Sequence, residues 1–148
     1  MELLKAKKLA EELMVEHKLP IVWTLKFNNA IRAFGRCSFK KFEIGLSRKL
    51  VELNNEKEVK DTILHEIAHA LVGPRNGHNY IWRIKAIEIG CNGERTYKDN
   101  VVTPPKKFIG TCPECKREIF RSRRTRISCG KCSKTFDTKY LFNWKLNN

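Results

Sequence analysis

The chain has no run of about 18 consecutive apolar residues, the length that a membrane-spanning helix needs. Its first residues, Met1-Glu2-Leu3-Leu4-Lys5-Ala6-Lys7-Lys8, lack the continuous apolar stretch of a secretory signal. These absences predict a protein with no membrane partner that stays inside the cell, in the cytoplasm or, in a eukaryotic or viral setting, the nucleus. Internal repeats and low-complexity tracts are missing too. With 148 residues, 41% hydrophobic and 31% charged, the chain can build a core. The length suits one compact domain, or one domain plus a small module, and is read as a monomer. Acidic side chains are scarce: 16 Asp+Glu stand against 30 Lys+Arg, a net charge of +14. Such an excess suits a polyanion, usually nucleic acid. It is also uneven. Residues 1–100 carry a net +5, whereas residues 101–148 carry +9 in half the length.

The segment 2–18 reads as a helix, with Leu3, Ala6, Ala10, Leu13 and His17 at spacings of three and four. Pro20 follows its end. Alternation of Ile21, Trp23, Leu25 and Phe27 predicts a strand, and residues 30–37 and 40–46 read as two more. Ser47 can cap a short helix. A longer helix is expected after Asn55, with Glu58 placed as in a capping box and Gly73-Pro74 as its stop. Its buried face would be Val59, Thr62, Ile63, Ile67, Ala70 and Leu71. A third helix should run from about Asn79 to Ile89, packing through Ile81, Trp82, Ile84, Ala86 and Ile89. Residues 92–107 are polar, contain Thr103-Pro104-Pro105, and read as a linker.

The long helix carries His65-Glu66-Ile67-Ala68-His69, an H-E-x-x-H pattern. On a helix, His65 and His69 project from one face, one turn apart, and two imidazoles so placed can bind one zinc. Glu66 is rotated about 100° from His65. It is poorly placed as a further ligand, but can act as general base on water. Catalytic zinc takes three protein ligands and one open position. His78 is the leading third ligand, because Gly73-Pro74 and Gly77 let the chain reverse. His17 reads as a packing residue, while Cys37 and Cys91 stay open as alternatives. The oxyanion partner is not readable; Tyr80, Arg75 and Arg83 are merely near in sequence.

The run His65-Glu66-Ile67-Ala68-His69-Ala70-Leu71, then Gly77-His78, then Trp82, resembles the SprT-like, Spartan-related zinc metalloproteases. Gly35-Arg36-Cys37 and Glu43-Ile44-Gly45-Leu46-Ser47 strengthen the resemblance, which extends over roughly residues 1–145. The resemblance implies that His65, His69 and His78 bind the catalytic zinc and that Glu66 is catalytic. It also implies proteins crosslinked to DNA as a substrate class. Two departures stand out: the link from His69 to His78 is short, and Asn79 takes a position where the family often has glycine. Trp82 shares the helix face of His78, and could be either a wall by the metal or a core indole.

Four of the six cysteines form two knuckles, Cys112-Pro113-Glu114-Cys115 and Cys129-Gly130-Lys131-Cys132, thirteen residues apart. Without a secretory signal a disulfide scaffold is disfavoured. Four thiolates at this spacing close one structural zinc, which would supply much of the folding energy of so small a segment. It resembles the zinc ribbon that follows many SprT-like domains. Between the knuckles lie Lys116, Arg117, Arg121, Arg123, Arg124 and Arg126, suited to DNA phosphates. Phe120, Phe136, Tyr140, Phe142 and Trp144 surround them, and any left exposed can stack on unpaired bases.

The expected protein is α+β. A minimal zincin-type metalloprotease domain (helix, three-stranded sheet, H-E-x-x-H helix, third helix) occupies residues 1–100. A linker covers 101–107 and a small four-cysteine zinc ribbon covers 108–148. The expected function is a DNA-associated endopeptidase with two Zn²⁺, one catalytic and one structural, acting on DNA-bound proteins. The alternatives are a non-catalytic DNA-binding zinc protein and a zinc hydrolase of a small substrate.

Overall fold

A computed structural model describes residues 1–97 and 100–148. They divide into two compact units, Met1–Pro104 and Pro105–Asn148. The first contains α1 (Leu3–Glu16), β1 (Thr24–Asn28), β2 (Gly35–Ser38), β3 (Glu43–Ser47), α2 (Arg48–Leu53), α3 (Glu56–Val72) and α4 (Tyr80–Glu88). The sheet order is β1-β3-β2, with β1 parallel and β2 antiparallel to β3. The central strand β3 is the most buried, with Ile44 and Leu46 fully enclosed. α3 packs against α1, α4, β2 and β3, so it is the axle of the unit. Its Val59, Ile63, Leu64, Ile67 and Ala68 meet Ala6, Ala10, Leu13, Ile44, Leu50 and Trp82 in one core. Each large aliphatic side chain enclosed there contributes about 1.5–3 kcal/mol of transfer free energy.

Local chemistry sets the helix ends. Ser47 Oγ accepts the Leu50 N–H at 3.2 Å and starts α2. Asn55 Oδ1 accepts the Glu58 N–H at 3.0 Å and starts α3. The Glu58 carboxylate does not close a capping box; it accepts from Asn100 instead, at 2.5 Å. Gly73 ends α3 with φ 89°, a left-handed conformation that costs glycine little.

Several expected boundaries shift. β1 begins at Thr24, not Ile21: Trp23 is buried, but Ile21 is fully exposed and Val22 largely so. The strands expected over 30–37 and 40–46 shorten to β2 and β3, because only there does the backbone pair. On α3 the buried stripe passes through Leu64, Glu66 and Ala68, leaving Thr62, Ala70 and Leu71 half-buried. α4 buries only Trp82 and Ala86; Ile81, Ile84 and Ile87 face outward. The polar stretch after α4 is not all linker. Val101 is buried in the first core, and Asn54 brackets Val102 with hydrogen bonds of 2.8 and 2.7 Å.

The second unit is a three-stranded antiparallel sheet in the order β5-β4-β6, from β4 (Phe108–Thr111), β5 (Glu118–Arg121) and β6 (Asn143–Leu146). Cys112, Cys129 and Phe142 form its small buried core, with Tyr140 and Trp144 half-buried around it. The first knuckle joins β4 to β5. The arginine run starts at Arg121, opposite Phe108, at the end of the hairpin away from the knuckle.

Candidate active site

α3 presents His65 and His69 one turn apart, as the helical spacing requires. The chain then reverses through Gly73-Pro74 and is laced by Asn76, whose Nδ2 donates to the Val72 carbonyl at 2.7 Å. Asn79 donates to Asn76 Oδ1 at 3.0 Å and caps α4 by accepting the Trp82 N–H at 3.0 Å. Asn79 thus turns the chain into α4 and sets His78 opposite the first two histidines.

The three Nε2 atoms form a triangle with sides of 3.0, 3.1 and 3.3 Å. A tetrahedral ion with Zn–N bonds of about 2.0–2.1 Å spaces adjacent donors by about 3.3–3.4 Å, so the triangle fits zinc with one position open. The rings are also in the right charge state. Burial, then the charges of His69 and His78, holds His65 down to about 3. Burial, then His78, holds His69 down to about 4. Burial and the Arg95 charge lower His78 as well. Neutral imidazoles with converging lone pairs repel one another and suit a cation. Trp82 supports all three, with centroids 4.6, 5.2 and 4.7 Å from His65, His69 and His78. It is only 1% exposed, so it serves as core indole and as wall at once.

Glu66 is 7% exposed and lies outside the histidine cluster. Burial pushes its carboxyl up to about 8. The side chain fits only because β2 begins with Gly35: a Cβ there would lie 2.5 Å from Glu66 Oε1 and 2.7 Å from its Cγ. A cavity of about 630 Å³ opens on Glu66 and the three histidines. Gly35, Cys37 and Phe39 border it on the side of β2, and Asn92, Glu94, Arg95 and Tyr97 form another wall. Sequence reasoning missed this second wall by treating it as linker. Tyr97, one aromatic in a polar stretch, was the available signal: its hydroxyl donates to the Arg32 carbonyl at 2.7 Å and its ring meets Phe34. Tyr80, Arg75 and Arg83 do not line the cavity; Arg32 and Arg95 do. Cys37 borders it as a thiol pushed up to about 12 by burial and by Glu66. Cys91 is buried in the core, and His17 ends α1.

A family model described as SprT-like matches residues 5–103. The chain belongs to the SprT-like family. A search of curated proteins gives no match. Among solved structures, this SprT-like chain is similar to the metallopeptidase zymogen jannalysin of Methanocaldococcus jannaschii, with a TM-score of 0.50 and 18% identity. The likeness covers 65% of this chain and 85% of that one, and identifies a shared fold.

In the second unit, Cys112, Cys115, Cys129 and Cys132 converge, all four Sγ lying within 4.8 Å of one another. Cys112 and Cys132 are 3.8 Å apart, and Cys115 and Cys129 are 3.7 Å apart. A tetrahedral ion with Zn–S bonds of about 2.3 Å requires S···S separations of about 3.8 Å, so this set also fits zinc. Lys116, Arg117, Arg121, Arg123, Arg124 and Arg126 are all exposed.

Proposed function

We propose that this SprT-like protein is a zinc endopeptidase that acts on proteins bound or crosslinked to DNA. One observation carries the peptidase reading: three neutral Nε2 donors converge beside a buried carboxylate at the head of an open cavity. His65, His69 and His78 would hold the catalytic zinc, and the four cysteines a structural one. Zinc bound there supplies Lewis acidity, polarising a carbonyl and making water a better nucleophile at neutral pH. A cation held at the three histidines would favour the ionised form of Glu66, which as a carboxylate takes the proton from water and delivers it to the leaving amine. Trp82 and the core beneath it hold the three rings in place, which limits reorganisation during the reaction. β2 is an edge strand, and Gly35 and Cys37 on it border the cavity. An extended polypeptide can pair along that edge, which favours a protein substrate over a small one. The metallopeptidase character of jannalysin supports the same chemistry.

The DNA reading rests on the second unit. Lys116, Arg117, Arg121, Arg123, Arg124 and Arg126 take part in none of the ion pairs found among the described residues. Arg124 lies over the Phe108 ring at 5.1 Å and Arg126 over Phe136 at 5.6 Å. Phe120 and Phe136 remain exposed for stacking on unpaired bases. Thr125 Oγ1 is buried without a partner and lines a cavity of about 300 Å³ with Arg124, Arg126 and Trp144. A base edge there would satisfy it. The test is incubation of the full chain with a DNA-binding protein, with and without DNA, beside the Glu66→Gln variant. Cleavage by the wild type alone, stimulated by DNA, is expected. No cleavage by zinc-loaded protein refutes the peptidase reading, and cleavage indifferent to DNA refutes the DNA reading.

A further inference from the structure

The wall formed by Asn92–Tyr97 is fastened to the histidine-bearing helix by one carboxylate. Asp61 stands four residues before His65, on the same face of α3. Its Oδ1 accepts the Asn92 N–H at 2.8 Å. Burial holds the neighbouring Cys91 thiol protonated to about 12, and the Asp61 carboxylate adds to this. Asn92 in turn accepts the Glu94 N–H on its own Oδ1 at 2.7 Å. The Glu94 backbone and the His65 ring line the same cavity, and the Glu94 carbonyl is placed as an acceptor for that ring, which favours its protonated nitrogen. His65 Nε2 faces His69 and His78, which leaves Nδ1 for that carbonyl.

This chain of bonds closes a loop from α3 back to α3. A histidine that ligates a metal through one nitrogen donates its other N–H to a fixed acceptor, which sets the tautomer and aims the lone pair. We propose that Asp61 is a positioning residue for the histidine metal site: through Asn92 it fixes the Glu94 carbonyl, which holds His65 with its proton on Nδ1 and its Nε2 lone pair toward the metal. The far end of the wall is anchored separately, by Tyr97 on Arg32 and Phe34. Loss of Asp61 therefore loosens the Glu94 carbonyl without detaching the wall. The inference rests on the zinc reading of His65, His69 and His78 given above.

The experiment is a cobalt titration of the metal-free full chain, following the two sites separately. The thiolate site shows sulfur-to-cobalt charge-transfer bands that a histidine site lacks. Asp61→Ala is expected to weaken cobalt binding at the histidine site about 10- to 100-fold, leaving the thiolate site and the far-ultraviolet dichroism unchanged. Asp61→Asn keeps an oxygen acceptor for the Asn92 N–H and should recover most of the loss. Asn92→Ala, which removes the acceptor for the Glu94 N–H, should act in the same direction, and it carries the test if Asp61→Ala does not fold. Unchanged affinity in the alanine variants overturns the proposal, as does an asparagine variant as impaired as alanine. A wild type that loads cobalt only on thiolates refutes the zinc-peptidase reading itself, so the two failures are distinguishable.

Discussion

Gly35→Ala adds one methyl group beside the proposed general base. The new Cβ would stand 2.5 Å from Glu66 Oε1, 2.7 Å from its Cγ and 2.9 Å from its Cδ. Carbon atoms at rest keep about 3.5 Å, so the Glu66 stem must retreat by roughly 0.8 Å. Glu66 is buried and cannot simply swing into solvent. Gly35 is not among the positive-φ residues, so alanine meets no backbone strain and the collision is the whole perturbation. Overpacking of this kind costs about 1–3 kcal/mol of stability. A catalytic group displaced by about 1 Å can lose roughly 10²-fold in rate. The expected variant is folded, melts a few degrees lower, keeps both metals and cleaves a flexible peptide about 100-fold more slowly in kcat. Melting curves, elemental analysis and single-turnover rates check the three parts. A kcat close to that of the wild type would refute the reasoning, because Glu66 would then have room to move or its position would not matter.

Glu66→Gln should keep the histidine-site metal and abolish cleavage; loss of metal would show that the carboxylate is a ligand. In the metal-free protein the unfolded chain ionises Glu66 near the ordinary value of 4.5, while the fold holds it protonated to about 8. Its contribution to stability is therefore full below about 4.5 and lost as pH rises toward 8, so Glu66→Gln should give a flatter profile over that range; parallel denaturation profiles would contradict this. Cys112→Ser should release one of two zinc ions per chain and unfold the second unit, as judged by dichroism and metal analysis, with peptide cleavage retained. Replacing Arg121, Arg123, Arg124 and Arg126 by alanine should remove DNA stimulation and make DNA affinity less steep in salt, measured by binding titrations. An unchanged salt slope would move the DNA contact to the side of Lys40, Lys41, Arg48 and Lys49.

Much of the scaffold was legible because its causes are local. The spacing of Ala6, Ala10 and Leu13, the caps at Ser47 and Asn55, and the stop at Gly73 each act within one or two helical turns. H-E-x-x-H and the two C-x-x-C pairs are equally local, since backbone geometry brings residues i and i+4, or i and i+3, together wherever they stand. His78 needed only a short reversal after α3. Outward-facing residues were harder: Ile81 and Ile84 follow an apolar period, yet among the described elements α4 packs chiefly on α3, so they stay exposed.

The sequence by itself determined which residues could hold metal, which carboxylate stood beside them and where the positive charge lay. Only the tertiary structure decided how the site is walled. Gly35 shapes the space of a glutamate 31 residues further on. Asp61 reaches Asn92 across another 31 residues. A polar stretch that reads as linker becomes one side of the cavity. Such contacts join separate elements, and their pairing is set by how β2, α3 and the segment after α4 pack, which no local period or cap can encode.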